Sequence, residues 1–126
     1  MSPVTQTADV VCLVDDDASI RRSITRMLQL EGVDVRAFEE PEEFLAYLDV
    51  HAVRLAILDI WMEPMTGMEV LTRLGTQSPQ TRVIFITGRE DESVEQAVKQ
   101  AGAFAFFMKP FDDNEFLRTV HRALDH

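Results

Sequence analysis

The sequence has one cysteine, Cys12, so it can form no internal disulfide and has no set of thiolates to hold a soft metal. It has no apolar run near the roughly 18 residues that a membrane-spanning helix requires, which excludes a helical membrane protein. Cations are scarce: 12 Lys and Arg against 22 Asp and Glu leave a net charge of −10. A phosphate backbone repels such a chain unless its few cations cluster, so this chain is not expected to bind nucleic acid directly. The three histidines, His51, His121 and His126, have no metal-ligand spacing and read as ordinary surface residues. The first ten residues lack the basic-then-apolar pattern of a secretory signal, and with the lone thiol this points to the cytoplasm.

At 126 residues, with 46% hydrophobic and 27% charged, the composition is that of one globular domain with a full core. Residues 1–9, rich in Ser, Thr, Gln and Pro, read as a flexible extension, and the domain as residues 10–126. The chain ends just past the last apolar helix position, which leaves no room for a second module within it.

From Val10 onward, short β-branched runs alternate with amphipathic stretches, the pattern of an α/β protein with a parallel sheet. Strands are expected at Val10 to Val14, Asp34 to Phe38, Leu55 to Leu58, Val83 to Thr87 and Ala105 to Met108. Continuous runs such as Val-Val-Cys-Leu-Val suit strands covered on both faces, and the more polar second strand suits a sheet edge. Ile20, Ile24, Met27 and Leu28 fall on one helical stripe, and Val94, Ala97, Val98 and Ala101 on another. Further helices read from Phe44, Leu45 and Leu48, and from Phe116, Leu117, Val120 and Leu124. A short one, Met68 to Leu74, is expected to stop near Gly75.

In open parallel sheets, ligands bind beyond the carboxyl ends of the strands. There the first strand runs into Asp15, Asp16 and Asp17, the third into Asp59, the fourth into Thr87 and Gly88, and the fifth into Lys109 and Pro110. Each has an ordinary reading: helix caps for the three aspartates, a turn for Asp59, a strand end for Thr87, a solvated cation for Lys109. Their shared location argues otherwise, since grouped carboxylates cost stability unless a cation or a function compensates. Oxygen donors without His or Cys suit a hard cation, Mg²⁺ or Mn²⁺. Cys12, inside an apolar strand, reads as a buried core thiol.

This arrangement resembles the receiver domain of bacterial two-component response regulators. The matching segments are Val14-Asp15-Asp16-Asp17, Leu58-Asp59-Ile60-Trp61-Met62 through Met65-Thr66-Gly67, Phe85-Ile86-Thr87-Gly88, Ala101-Gly102-Ala103 and Lys109-Pro110-Phe111. The resemblance runs from about Val10 to Leu124, and within the family it is nearest to receivers of regulators with a LuxR-type helix-turn-helix output.

It implies an α/β, (βα)5 flavodoxin-like (CheY-like) fold, with a five-stranded parallel sheet in order 2-1-3-4-5 and helices on both faces. The function implied is a phosphorylation-dependent signalling switch in a phosphorelay. Asp59 matches the phosphoacceptor; Asp15, Asp16, Asp59 and the backbone carbonyl of Trp61 match the metal ligands; Thr87 matches the switch hydroxyl, Phe106 the switch aromatic and Lys109 the family lysine. A cis Lys109–Pro110 peptide is implied as well. The implied partners are a sensor histidine kinase, an output domain or downstream protein, and a second copy of the chain on phosphorylation.

The chain departs from the pattern in one loop, where Glu63 separates Met62 from Pro64. Altered loop stiffness and an extra carboxylate near the site are the expected results. Trp61 and Arg89 sit where large side chains would shield an acyl phosphate from water.

Three rival readings stand beside this one. A phosphohydrolase with an aspartyl nucleophile usually has a second Asp two residues on, where this chain has Trp61. A flavodoxin-like cofactor binder would place a phosphate cradle after the first strand, where three aspartates would repel one. A receiver-like binding module that is never phosphorylated would not need the full set of Asp15, Asp16, Asp59, Thr87 and Lys109.

Overall fold

A computed structural model describes residues 10–89 and 91–125. The suggested extension at residues 1–9 lies outside them, as does His126. Five strands alternate with five helices: β1 Val10–Val14, α1 Ala18–Leu30, β2 Asp34–Phe38, α2 Pro41–Leu48, β3 Leu55–Asp59, α3 Gly67–Gln77, β4 Arg82–Thr87, α4 Glu92–Gln100, β5 Ala105–Met108 and α5 Asp113–Leu124. The strands form one parallel sheet in the order β2-β1-β3-β4-β5. The polar second strand is an edge, as its composition suggested.

The two-residue period of a strand divides each continuous apolar run between two cores. Cys12 and Val14, Ala56 and Leu58, and Val83 and Phe85 meet Phe44, Leu45 and Leu48 of α2, Val70 and Leu74 of α3 and Val98 of α4. Val11 and Leu13, Leu55 and Ile57, and Ile84 and Ile86 meet Ile24 and Leu28 of α1 and Phe116, Val120 and Ala123 of α5. Helices therefore cover both faces, and Phe44, Phe85 and Phe116 are fully buried. Each such side chain contributes roughly 1.5–3 kcal/mol of burial free energy. Cys12 is in this interior, and burial pushes its thiol up to about 12, which leaves it inert.

Local signals fix where the helices begin, and hence which loops face the carboxyl ends of the strands. Asp17, Asp91 and Asp112 cap α1, α4 and α5 by accepting from backbone N–H groups of the first turn. Thr66 and Glu69 form a reciprocal capping box at α3, and α2 starts on Pro41. Strand β4 starts one residue early, at Arg82, and α3 one residue early, at Gly67. Two further expected boundaries are corrected. Helix α3 continues through Gly75 to Gln77, because buried Val70 and Leu74 anchor it while the glycine faces solvent. Strand β3 includes Asp59 itself, which pairs with Ile86.

Candidate functional site

At the carboxyl end of the sheet, the backbone delivers the carboxylates into different surroundings. Asp15, just past β1, is fully buried, and its Oδ1 accepts the N–H of Asp17 at 2.9 Å. Its main-chain carbonyl accepts from the Arg21 guanidinium at 2.7 Å, tying the first loop to α1. Arg21 escaped the sequence reading; its place one turn into the helix that Asp17 caps was the available signal. Asp16 is exposed. Asp17 is the helix cap, so one of the three consecutive aspartates does have the ordinary role.

Asp59 ends β3, is only 7% exposed and accepts the Trp61 N–H at 3.2 Å. Carboxylate oxygens of Asp15, Asp16 and Asp59 lie within 4.8 Å of one another. Burial, and then the charge of Asp15, push the Asp59 carboxyl up to about 6; Lys109 and the Trp61 amide pull it down, and Asp16 adds a further rise. Lys109 Nζ reaches from the end of β5 to Asp15 Oδ2 at 3.2 Å. An all-oxygen anionic cluster beside one ammonium suits a hard divalent cation, so the residues present fit Mg²⁺ or Mn²⁺.

Gly67 is pressed beneath this site. Its N–H donates to the Ile60 carbonyl at 2.9 Å, and a Cβ there would stand 2.5 Å from the Asp59 carbonyl oxygen and 2.9 Å from the Phe85 ring. Only glycine permits that approach.

Thr87, fully buried at the end of β4, donates its hydroxyl to the Arg89 carbonyl at 3.3 Å and accepts the Arg89 N–H at 3.1 Å. Its own carbonyl accepts the Lys109 N–H at 2.7 Å, which joins the fourth and fifth strand ends. The Arg89 guanidinium lies 4.5 Å from the centre of the Trp61 ring, so the third and fourth loops touch through these two side chains. The Trp61 indole Nε1 is buried with no hydrogen-bond partner.

The Lys109–Pro110 peptide is cis, as the resemblance implied, and so is Glu63–Pro64, which was not foreseen. Glu63 is exposed and is not one of the three carboxylates that converge. Phe106 lies away from them, half-buried against the α2–α4 core in a groove shared with Glu95, Val98 and Phe104. His51 stacks on Tyr47 at 3.9 Å, and His121 pairs with Glu31 at 3.0 Å across an exposed surface.

Fold and site together define a receiver-type signalling domain, and comparison with known proteins agrees. A family model described as the response regulator receiver domain matches residues 11–121, and the chain belongs to that family. The transcriptional regulatory protein FixJ of Rhizobium meliloti is 33% identical over 116 residues, covering 92% of this chain and 57% of that protein. The DNA-binding transcriptional regulator NtrC of Proteus hauseri is 36% identical over 116 residues, covering 92% of this chain and 24% of that protein. The chain thus spans from about a quarter to just over half the length of these relatives.

Among solved structures, a receiver domain protein from Methanospirillum hungatei superposes with a TM-score of 0.87 at 29% identity, covering 94% of this chain and 95% of that one. The FixJ-N structure gives 0.85 at 33% identity, covering 96% and 97%. The chain is therefore a receiver domain of the two-component type, a phosphorylation-dependent switch.

Proposed function

We propose that Asp59 is the phosphoryl acceptor of this switch. The observation that carries this is the convergence of Asp59 with Asp15 and Asp16 within 4.8 Å, beside an ammonium held on Asp15. A carboxylate oxygen of Asp59 bonds to phosphorus as the donor's P–N or P–O bond breaks. The electron pair departs with the imidazole of a histidine kinase or with a small acid such as acetate. Asp15, Asp16, Asp59 and the Trp61 carbonyl would hold Mg²⁺ or Mn²⁺, which supplies the positive charge that lets one anion approach another.

Lys109 adds a second cation on the buried side of the cluster. The acyl phosphate brings new charge and acceptor oxygens within the province of Lys109 and of the Thr87 hydroxyl. A Thr87 drawn toward Asp59 must let go of the Arg89 carbonyl, which moves the fourth loop. Phe106, on the α4 side of β5, passes that change to a surface that meets an output domain, a downstream protein or a second copy of the chain. The chain works in the cytoplasm, catalyses its own phosphoryl transfer and turns over no separate metabolite. Among the described residues, no helix is long and apolar enough to cross a membrane.

Intact mass after incubation with acetyl phosphate tests this reading. One added phosphoryl group is expected for the wild type with Mg²⁺, and none with chelator or in Asp59→Asn. No addition to the wild type from acetyl phosphate or from a histidine kinase would favour a silent binding module.

A further inference from the structure

The contact between Trp61 and Arg89 lies outside the roles assigned above, yet each residue also touches a group of the proposed chemistry. The Trp61 N–H donates to the Asp59 carboxylate. The Arg89 N–H and carbonyl hold the two sides of the Thr87 hydroxyl. The two side chains then stack on each other at 4.5 Å. In this arrangement the Thr87 proton is committed to its own loop. It becomes available to an acceptor on Asp59 only if Thr87 releases the Arg89 carbonyl, and a shift of that short turn carries the guanidinium with it. The stack opposes the shift, because the ring is anchored one residue beyond Ile60, whose own N–H is bound to β4 at the Ile86 carbonyl.

We propose that the Trp61–Arg89 stack is a clasp that positions Thr87 in its withdrawn hydrogen bond and so sets the threshold for switching. The inference rests on the reading of Asp59 and Thr87 given above, and it assigns Arg89 and the Trp61 ring as positioning residues. Arg89 is exposed and its guanidinium lies over the ring, so the Arg89 half of the clasp is separable from the fold, whereas the Trp61 ring also packs against the core. A guanidinium–indole stack at a partly exposed site amounts to about a threefold to tenfold bias between two states.

The test is a titration with beryllium fluoride and Mg²⁺, since this acyl-phosphate mimic is not hydrolysed and affinity is read without turnover. Trp61→Leu and Arg89→Met, which lose the stack, should bind it about threefold to tenfold more tightly than the wild type. Trp61→Phe and Arg89→Lys, which keep a ring or a cation, should stay near the wild type. In a Thr87→Val background, Arg89→Met should change nothing, because there is no hydroxyl left to withdraw; a merely structural role would not vanish with that hydroxyl.

Weaker binding by both stack-breaking variants would overturn the clasp, because the pair would then serve the phosphoryl group itself. Unchanged binding would show the stack to be incidental and would overturn it equally. A wild type with no Mg²⁺-dependent response, or an equal response from Asp59→Asn, would overturn the Asp59 reading and this inference with it.

Discussion

Lys109 Nζ stands 3.2 Å from Asp15 Oδ2, an ion pair whose aspartate side chain is fully buried and whose lysine side chain is 20% exposed. Removing the cation leaves an uncompensated charge beneath the surface, next to a second carboxylate, and that costs more than any exposed pair. Lys109→Met should lower stability by about 2 kcal/mol in chelator, a fall of roughly 8 °C in melting temperature for a domain of this size. Added Mg²⁺ should restore part of the loss, because a divalent cation beside Asp15 takes over the same role. Thermal melts with and without Mg²⁺ measure both effects.

Asp59 carries the opposite balance. Its carboxyl is raised from the ordinary 3.8 to about 6, chiefly by burial and then by Asp15, so the folded state holds the proton more tightly than the unfolded one. Folding is therefore free of this penalty below about pH 4. It loses stability progressively as the pH rises to about 6, and carries the full cost above that. A shift of about two units is worth about 3 kcal/mol. Asp59→Asn should be more stable than the wild type by about that amount at pH 7.5 in chelator, and by little at pH 4. Urea unfolding at the two pH values decides; an equal difference at both would refute the linkage.

Mg²⁺ should raise the melting temperature of the wild type, since the three-carboxylate cluster is assembled only in the folded chain. At 100 times the dissociation constant the gain is about 3 kcal/mol. Asp16→Ala should abolish most of it at little structural cost, because Asp16 is exposed whereas Asp15 and Asp59 are buried. Trp61, the only tryptophan, gives a fluorescence reading of the same titration. No Mg²⁺-dependent shift in the wild type would count against the metal assignment.

Four of the strands were legible as apolar runs because a strand covered by helices is apolar at nearly every position, and the more polar second strand was legible as an edge. Asp15, Asp59, Thr87 and Lys109 stood out as candidates because each ends or directly follows such a run. Contacts made by residues far apart in the chain were not legible. Nothing in Asp15-Asp16-Asp17 distinguishes the buried ligand candidate from the exposed one or from the helix cap; the direction of each peptide past β1 does that. The stack of Arg89 on Trp61 likewise depends on how two loops pack. Gly75 read as a helix stop because glycine often is one, but the buried neighbours of α3 outweigh a local penalty of about 1 kcal/mol.

The two glycines of α3 predict opposite outcomes for one substitution. Gly75→Ala meets nothing within 4 Å in a helix interior and should stabilise the domain by about 0.5–1 kcal/mol. Gly67→Ala would drive a Cβ into the Asp59 carbonyl and the Phe85 ring, and should cost about 2–3 kcal/mol while displacing Asp59. Denaturant midpoints for the pair, with phosphoryl uptake by mass, separate the helix effect from the site effect.

Trp61 also bears on how long a phosphoryl group would last. Its ring is half-buried, its amide is bonded to the Asp59 carboxylate, and the Arg89 guanidinium lies over the ring from the fourth loop, so a large side chain stands two residues from that carboxylate. Hydrolysis of an acyl phosphate needs a water in line with the bond that breaks, and side-chain bulk there excludes it. Trp61→Asn should therefore shorten the phosphoryl half-life several-fold after the donor is removed, followed by intact mass over time. Because beryllium fluoride is not hydrolysed, this effect on lifetime is separable from any effect on switching affinity. An unchanged half-life in Trp61→Asn would remove the shielding role and leave the ring only its contact with Arg89.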